Sequence, residues 1–227
     1  MQKIRSYLIT ARKIYHEAGA RTLLSVIFNR LFPRVRTSLQ PMTVKNWLQY
    51  YEKRGGGHRK GPPSFDFGQY PRVSILILTY NNLEYNKLCL YSIYSNTTYP
   101  NFEVVVVDNA SSDETPEWLS EFSRSRKNLR LILNKENLGF AGGNNQAARE
   151  ADGEFLVFLN NDTVVTQGWI EGLLAHIKDD ASVGLVGPVT NSTGNEARIP
   201  VAYGSPAEME KFASDSMVTF LKGMQRA

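Results

Sequence analysis

The chain has 227 residues, 42% hydrophobic and 21% charged, with a formal net charge of +4, proportions ordinary for a globular protein with one sizeable core and an accessory segment. The single cysteine, Cys89, excludes an internal disulfide framework and a cysteine zinc site, and the three histidines are too far apart in sequence to make a metal-ligand spacing. No run approaches the roughly 18 apolar residues that a membrane span needs, and the basic N-terminus lacks the apolar segment and cleavage site of a signal peptide.

The charge is unevenly placed. Residues 1–60 carry 13 Lys/Arg against 2 Asp/Glu, whereas residues 61–227 carry 13 against 20. A basic head on an acidic body suits an anionic surface, and suits a solvated extension equally well. Residues 1–32 read as a basic amphipathic helix, with Ile4, Leu8, Leu23, Leu24, Ile27 and Leu31 among Arg and Lys. Such a helix can lie on an anionic membrane or pack on its own domain. The head has aromatics but no nucleic-acid motif, so no nucleic-acid partner is expected. Residues 46–51 read as one or two helical turns, and 55–63 (GGGHRKGPP) is a linker by composition. A boundary is therefore expected near residue 68, dividing a basic helical extension (1–68) from a second domain (69–227).

From there the pattern is regular. Residues 73–78 (VSILIL) predict a buried strand and about 84–95 a helix. Residues 102–107 predict a second strand, followed by a helix capped by Ser112 or Asp113 with Pro116 in its first turn. A third strand is expected over 129–133 and a helix from Gly142 to about Ala151. The run FLVFL at 155–159 reads as a fourth strand buried on both faces, Gln167 to Lys178 as a helix, and 183–186 as a fifth strand. Strand–helix alternation with apolar strands predicts an α/β fold on a parallel sheet, in which ligands gather outside the carboxyl ends of the strands.

Polar residues cluster at those ends. The first strand runs into Thr79-Tyr80-Asn81-Asn82, the second into Asp108-Asn109-Ala110-Ser111-Ser112, the third towards Asn134 and Asn137, and the fourth into Asn160-Asn161-Asp162. Each cluster alone is explained by turn and capping chemistry; four in succession point to a shared site. Asp108 is expected to point into the crevice, accepting from a ribose hydroxyl or a base N–H, or else to serve as a turn and cap residue. The stretch NLGFAGGNN at 137–145 fits neither G-x-G-x-x-G nor the P-loop pattern and has no lysine for a phosphate. It reads as a glycine-rich approach to a helix N-terminus, suited to an anion or a sugar hydroxyl, or as a plain loop-to-helix turn. Asp162, with an amide oxygen of Asn160 two residues earlier, suits a hard divalent cation, Mg²⁺ or Mn²⁺, whose remaining ligands are substrate phosphates and water.

VSILILTYNN, VVVVDNASSDET, NKENLGFAGGNNQAA and FLVFLNNDTVV, in this order and spacing, resemble family 2 glycosyltransferases over about residues 71–200. The resemblance implies a GT-A fold and a nucleotide-diphospho-sugar donor. It implies substrate binding by Thr79, Tyr80, Asn81, Asp108, Asn109, Ser111, Asn137, Gly139, Asn144, Asn160 and Asn161. Asn160-Asn161-Asp162 stands where the family has a D-x-D motif, and Asp162 becomes the main metal carboxylate. GFAGGNN with NNDT is similar to the rhamnosyltransferase-like branch, and the donor is then dTDP-rhamnose or a UDP-sugar.

Family members continue into an acceptor half bearing an acidic pair whose Asp acts as general base. Here Glu208, Glu210 and Asp215 lie in a mixed Glu/Lys helix that reads as a solvated face, so no base is identified and the chain reads as a donor-binding half, short at its C-terminus. The expected activity is metal-dependent, inverting transfer to a polysaccharide or lipid-linked acceptor, by a cytoplasmic protein that touches the inner membrane face through residues 1–32. The alternative is a non-catalytic nucleotide-sugar-binding or partner-binding module. A nucleotidyltransferase fits less well, because residues 79–83 lack a Gly-rich, Lys/Arg-bearing loop.

Overall fold

The computed structural model describes residues 43–53, 70–178, 182–191 and 196–224. The helix expected over 1–32 and the linker at 55–63 lie outside the described residues. Strands β1 (Val73–Thr79), β2 (Phe102–Asp108), β3 (Leu129–Leu133) and β4 (Phe155–Asn160) form one parallel sheet in the order β3-β2-β1-β4. The helices are α1 (Val44–Glu52), α2 (Leu83–Asn96), α3 (Thr115–Arg124), α4 (Gly139–Arg149), α5 (Trp169–Lys178) and α6 (Pro206–Met224). This is the α/β architecture that the strand–helix alternation predicts.

The largely apolar, almost wholly buried β1 and β2 follow from helices on both sheet faces. On one face Val73, Ile75, Ile77, Val104 and Val106 pack under Cys89, Leu90 and Ile93 of α2, Leu119 and Phe122 of α3, and Ile170 and Leu174 of α5. On the other, Leu76, Val105 and Val107 meet Ala147 of α4, with Leu78, Ile132, Ala148 and Ala151 beside them. Each fully buried aliphatic side chain there contributes roughly 1.5–3 kcal/mol. Gly143 permits the close approach of α4 to β1, since a Cβ at that position would stand 2.2 Å from Leu78 Cδ1. The sheet's N-terminal edge is tied by Glu103, 4% exposed, which accepts from Ser74 Oγ (2.6 Å), the Asp152 amide (2.7 Å) and Arg72 Nη2 (3.0 Å).

Three expectations are corrected. β4 is not buried on both faces: it is an edge strand of alternating burial, and α4 covers β1 and β2, leaving Leu156 and Phe158 42% and 57% exposed. Residues 183–186 form no strand. The segment carries Gly184 and is followed by Gly187, which weaken a strand, Leu185 is 90% exposed, and the nearest pairing is an isolated bridge from Thr190 to Arg198. The helix expected from Gly142 starts at Gly139, so both glycines of the Gly142-Gly143 pair lie inside it. In addition, α1, grouped by the sequence with the N-terminal extension, packs Leu48 and Tyr51 against Leu88 of α2.

At the C-terminus, Ser205 and Glu208 form a capping box on α6: Glu208 Oε2 accepts from the amides of Gly204 and Ser205, and Ser205 Oγ accepts from the Glu208 amide. Met209 is buried, and Met217 packs against Gly172 of α5. The solvated-face expectation therefore holds for Glu208 and for Lys211 and Asp215, an exposed pair at 2.8 Å, and not for the whole helix.

Candidate donor-binding cleft

With strand order β3-β2-β1-β4, the chain reverses its direction of progress between β1 and β4, and a crevice is expected outside the carboxyl ends of those two strands. A cleft of about 280 Å³ lies there. Leu78, Thr79, Tyr80 and Asn82 line it from β1 and its tip, Leu159, Asn160 and Asn161 from β4 and its tip, Asn109 and Asn137 from the loops after β2 and β3, and Phe140 and Asn144 from α4. Seven of the expected substrate-binding positions thus meet at one cleft: Thr79, Tyr80, Asn109, Asn137, Asn144, Asn160 and Asn161. Asn81, Asp108, Ser111 and Gly139 support its rim and do not line it.

The rim is built largely from polar side chains bonded to one another. Asp108 is 1% exposed: Oδ1 accepts from Thr79 Oγ1 (3.0 Å) and Ser111 Oγ (2.5 Å), and Oδ2 accepts from the Ser111 amide (2.9 Å). The crevice-facing carboxylate expected from the sequence is thus turned inward, because three donors from its own strand tips capture it. Ser111 Oγ in turn accepts from the Asn81 amide (2.7 Å), and Asn81 Oδ1 accepts from the Ser112 amide (2.8 Å). These bonds hold an unusual backbone. Asn81, Asn82 and Ala110 have φ of 55°, 61° and 64°, a left-handed region costing of order 1–3 kcal/mol for a non-glycine residue.

Asn109, 2% exposed, joins β2 to the next loop: Nδ2 donates to Asn137 Oδ1 (2.7 Å) and Oδ1 accepts from the Leu138 amide (2.9 Å). Asn137 Oδ1 also accepts from the Gly139 amide (2.8 Å), and Gly139 has φ of 73°, which glycine tolerates best. Asn144 Nδ2 donates to the Phe140 carbonyl (2.9 Å), fixing the first turn of α4. Nearby, burial would raise the Asp113 carboxyl, but the Thr115 hydroxyl and amide and the Leu83 amide outweigh it and hold it below its ordinary value.

At the tip of β4 the chain turns, with the Thr163 amide donating to the Asn160 carbonyl (3.2 Å). Exposure alternates through the turn: Asn160 and Asp162 are exposed, and Asn161 points inward, donating from Nδ2 to Asn86 Oδ1 (2.6 Å). Asn86, 1% exposed on α2, donates to the Asn81 carbonyl (2.8 Å) and to Thr115 Oγ1 (3.2 Å). One buried amide therefore fixes the tips of β1 and β4 together. Beneath the turn, Cys89 Sγ lies 3.7 Å from the Asn160 carbonyl. Burial, with the negative charge of Asp162 added, pushes its thiol up to about 12.

Asn160, which lines the cleft, offers an amide oxygen, and Asp162, exposed two residues on and not among the lining residues, offers a carboxylate. No group of three or more His, Cys, Asp or Glu that could hold a metal occurs among the described residues. The described residues therefore form no closed metal cage of their own, and one carboxylate with one amide is the donor set that a hard divalent cation uses where waters and phosphate oxygens complete its shell. Sequence reasoning missed Phe140, which lines the cleft at 72% exposure, and Asn86. Phe140 stood inside the quoted NLGFAGGNN; Asn86 sits in the first turn of α2 with no local signal. Among the described residues no helix is long and apolar enough to cross a membrane.

The chain is similar to glycosyltransferase AglE of Haloferax volcanii, 37% identical over 103 residues covering 44% of this chain and 34% of that protein. It is equally similar, 37% over 102 residues (45% of this chain, 38% of the relative), to the UDP-Glc:alpha-D-GlcNAc-diphosphoundecaprenol beta-1,3-glucosyltransferase WfgD of Escherichia coli. The match spans little more than a third of these curated relatives. Among solved structures it resembles mannosyltransferase PcManGT of Pyrobaculum calidifontis, in complex with GDP-Man and Mn²⁺, at 28% identity and a TM-score of 0.47, covering 60% of this chain and 41% of that one. The profile of Glycosyl transferase family 2 matches residues 74–223, from β1 into α6 and across all four strand tips, and the chain belongs to that family.

Proposed function

We propose that the cleft binds a nucleotide-diphospho-sugar together with Mg²⁺ or Mn²⁺ and that the protein transfers the sugar to a glycan or lipid-linked acceptor hydroxyl with inversion. The observation that carries this reading is the β4 turn, where Asn161 is anchored inward on Asn86, Asn160 lines the cleft and Asp162, two residues on, is exposed. Asp162, with Asn160, holds the cation, which when bound neutralises charge on the departing nucleoside diphosphate. Tyr80 and Asn82 are exposed at the β1 tip and receive the nucleoside, while Asp108, Ser111 and Asn81 keep that tip in its strained shape. Phe140 and Asn144, with Asn137, face the sugar across the cleft.

The donor named for the Escherichia coli relative, UDP-Glc, favours a UDP-sugar. The GFAGGNN and NNDT stretches favour the rhamnosyltransferase-like branch and dTDP-rhamnose. Residues 1–32 supply peripheral contact with an anionic membrane, bringing the cleft to a lipid-linked acceptor. The test is a thermal-shift panel of UDP, GDP and dTDP sugars with and without Mn²⁺. One nucleotide class is expected to raise the melting temperature by about 5–10 °C at a hundredfold excess over Kd, and only with metal. No shift with any of them overturns the reading.

A second reading has its own support. Glu208 is held in the α6 capping box, Glu210 accepts from Tyr50 (3.2 Å), and Asp215 pairs with Lys211. Each of the C-terminal carboxylates is engaged structurally, which favours a donor-binding module without its own base. Release of nucleoside diphosphate on adding an acceptor rejects that alternative.

A further inference from the structure

Helix α1 lies outside the residues that match the family profile, yet it shares an apolar cluster with Val164, the residue that follows the β4 turn. Residues 164 and 165, which directly follow the Asn160–Thr163 turn, are held between α1 and α2. Val164 packs in the apolar cluster formed by Leu48 and Tyr51 of α1 and Leu88 of α2. The Val165 amide donates to Ser92 Oγ (3.1 Å), and its carbonyl accepts from Asn96 Nδ2 (2.9 Å). The same Asn96 Nδ2 reaches Tyr51 Oη at 3.4 Å, and Asn96, Tyr51 and Val165 are all at most 5% exposed. We propose that α1 is a positioning element for the cation-binding turn, acting through Leu48, Tyr51 and Asn96 on Val164 and Val165. This inference rests on the proposed function above for what the turn holds.

The physical reason is the asymmetry of the turn's support. On its N-terminal side Asn160 is the last residue of β4, and Asn161 is tied to Asn86. On its C-terminal side no strand or helix begins until α5 at Trp169; the backbone bonds there are those from the Thr163 amide to the Asn160 carbonyl and from the Gly172 amide to the Gly168 carbonyl, so residues 164 and 165 depend on side chains. A coordinating carboxylate must be held within a fraction of an ångström by groups that are themselves locked. The buried contacts of α1 and α2 on residues 164 and 165 are the lock available to Asp162 on that side. Asn96 serves both the turn and Tyr51, so loosening α1 is transmitted to Val165 through one shared amide.

The test compares the full chain with Tyr51→Phe, Leu48→Ala and the near-isosteric Leu48→Met by hydrogen–deuterium exchange and by nucleotide titration. Leu48→Ala is expected to speed exchange of residues 161–166 about five- to thirtyfold, with β2 and β3 unchanged; Tyr51→Phe acts in the same direction and more weakly, and Leu48→Met restores protection. In titrations with UDP or dTDP, the affinity gained by adding Mn²⁺ falls about tenfold in Leu48→Ala, while binding without metal is kept. Unchanged exchange over 161–166 in Leu48→Ala overturns the proposal whatever the ligand. Faster exchange with an undiminished Mn²⁺ gain also overturns it. Absence of any Mn²⁺ gain in the wild-type chain instead removes the donor-site reading, leaving exchange to decide whether α1 holds the turn.

Discussion

Replacing Asp108 separates a carboxylate that builds the cleft from one that touches ligand. Asp108 accepts from Thr79 Oγ1, Ser111 Oγ and the Ser111 amide at 1% exposure. Hydrogen bonds to a charged group contribute about 1.5–3 kcal/mol each, but Asp108→Ala does not lose the full sum. Thr79 Oγ1 has a second acceptor in the Val107 carbonyl at 3.4 Å, and the half-buried Ser111 hydroxyl can turn to water. What stays uncompensated is the Ser111 amide and part of the strained tip around Ala110, about 3–4 kcal/mol in all. Asp108→Asn keeps an acceptor for the two hydroxyls but turns an amide N–H₂ towards the Ser111 amide, costing about 1–3 kcal/mol. For a unit of this size, Pro41–Ala227, melting falls by about 10 °C in Asp108→Ala and by less in Asp108→Asn. The assay is thermal and urea unfolding beside nucleotide titration. An Asp108→Ala protein that melts within about 2 °C of wild type yet no longer binds nucleotide would refute this, because the carboxylate would then act on the ligand directly.

Three further outcomes are expected. Burial raises the Glu103 carboxyl, but the Ser74 hydroxyl, the Asp152 amide and Arg72 more than offset it, leaving the group below its ordinary value. A depressed folded value means that its stabilisation is present above the unfolded value near 4.5 and is lost as pH falls below it. Urea midpoints measured between about pH 6 and pH 3 decline less steeply in Glu103→Gln than in wild type, and identical slopes count against this. Gly143→Ala sets a methyl 2.2 Å from Leu78 Cδ1; Leu78 lines the cleft, so the change costs about 1–3 kcal/mol and narrows the donor site, seen as weaker nucleotide binding. Cys89, 1% exposed, reacts with an aromatic disulfide at pH 8 only after unfolding; rapid stoichiometric labelling of the native protein contradicts the packing under the turn.

The regular part of this fold is plain in the amino-acid order because β1, β2 and β3 are short apolar runs set between polar tips, and their observed bounds depart from the expected ones by a residue at most. The misread segments are those where a partner decides the outcome. Phe158 resembles a residue covered on both sides, but α4 packs over β1 and β2, away from β4, and leaves it 57% exposed. Leu185 sits in a run suited to a strand, but it pairs with none. The convergence of four polar strand tips was legible from spacing alone, whereas the division of labour among them was not. Whether an Asn or Asp faces ligand or its neighbours depends on which donors the fold brings near it. Asp108 and Asn109 turn inward to Ser111, Asn137 and Leu138, residues whose proximity only the fold creates.

The central claim is that the Asn160–Thr163 turn presents a carboxylate to a cation shared with a nucleoside diphosphate. Isothermal titration of UDP and dTDP with and without Mn²⁺, in wild type and Asp162→Ala, tests it most directly. Asp162 is exposed, so its removal leaves the fold and its melting temperature nearly unchanged. Wild type is expected to bind one of these nucleotides more tightly with Mn²⁺, and Asp162→Ala to lose at least about tenfold of that affinity while keeping its metal-free binding. Mn²⁺-dependent binding of equal strength in Asp162→Ala contradicts the account.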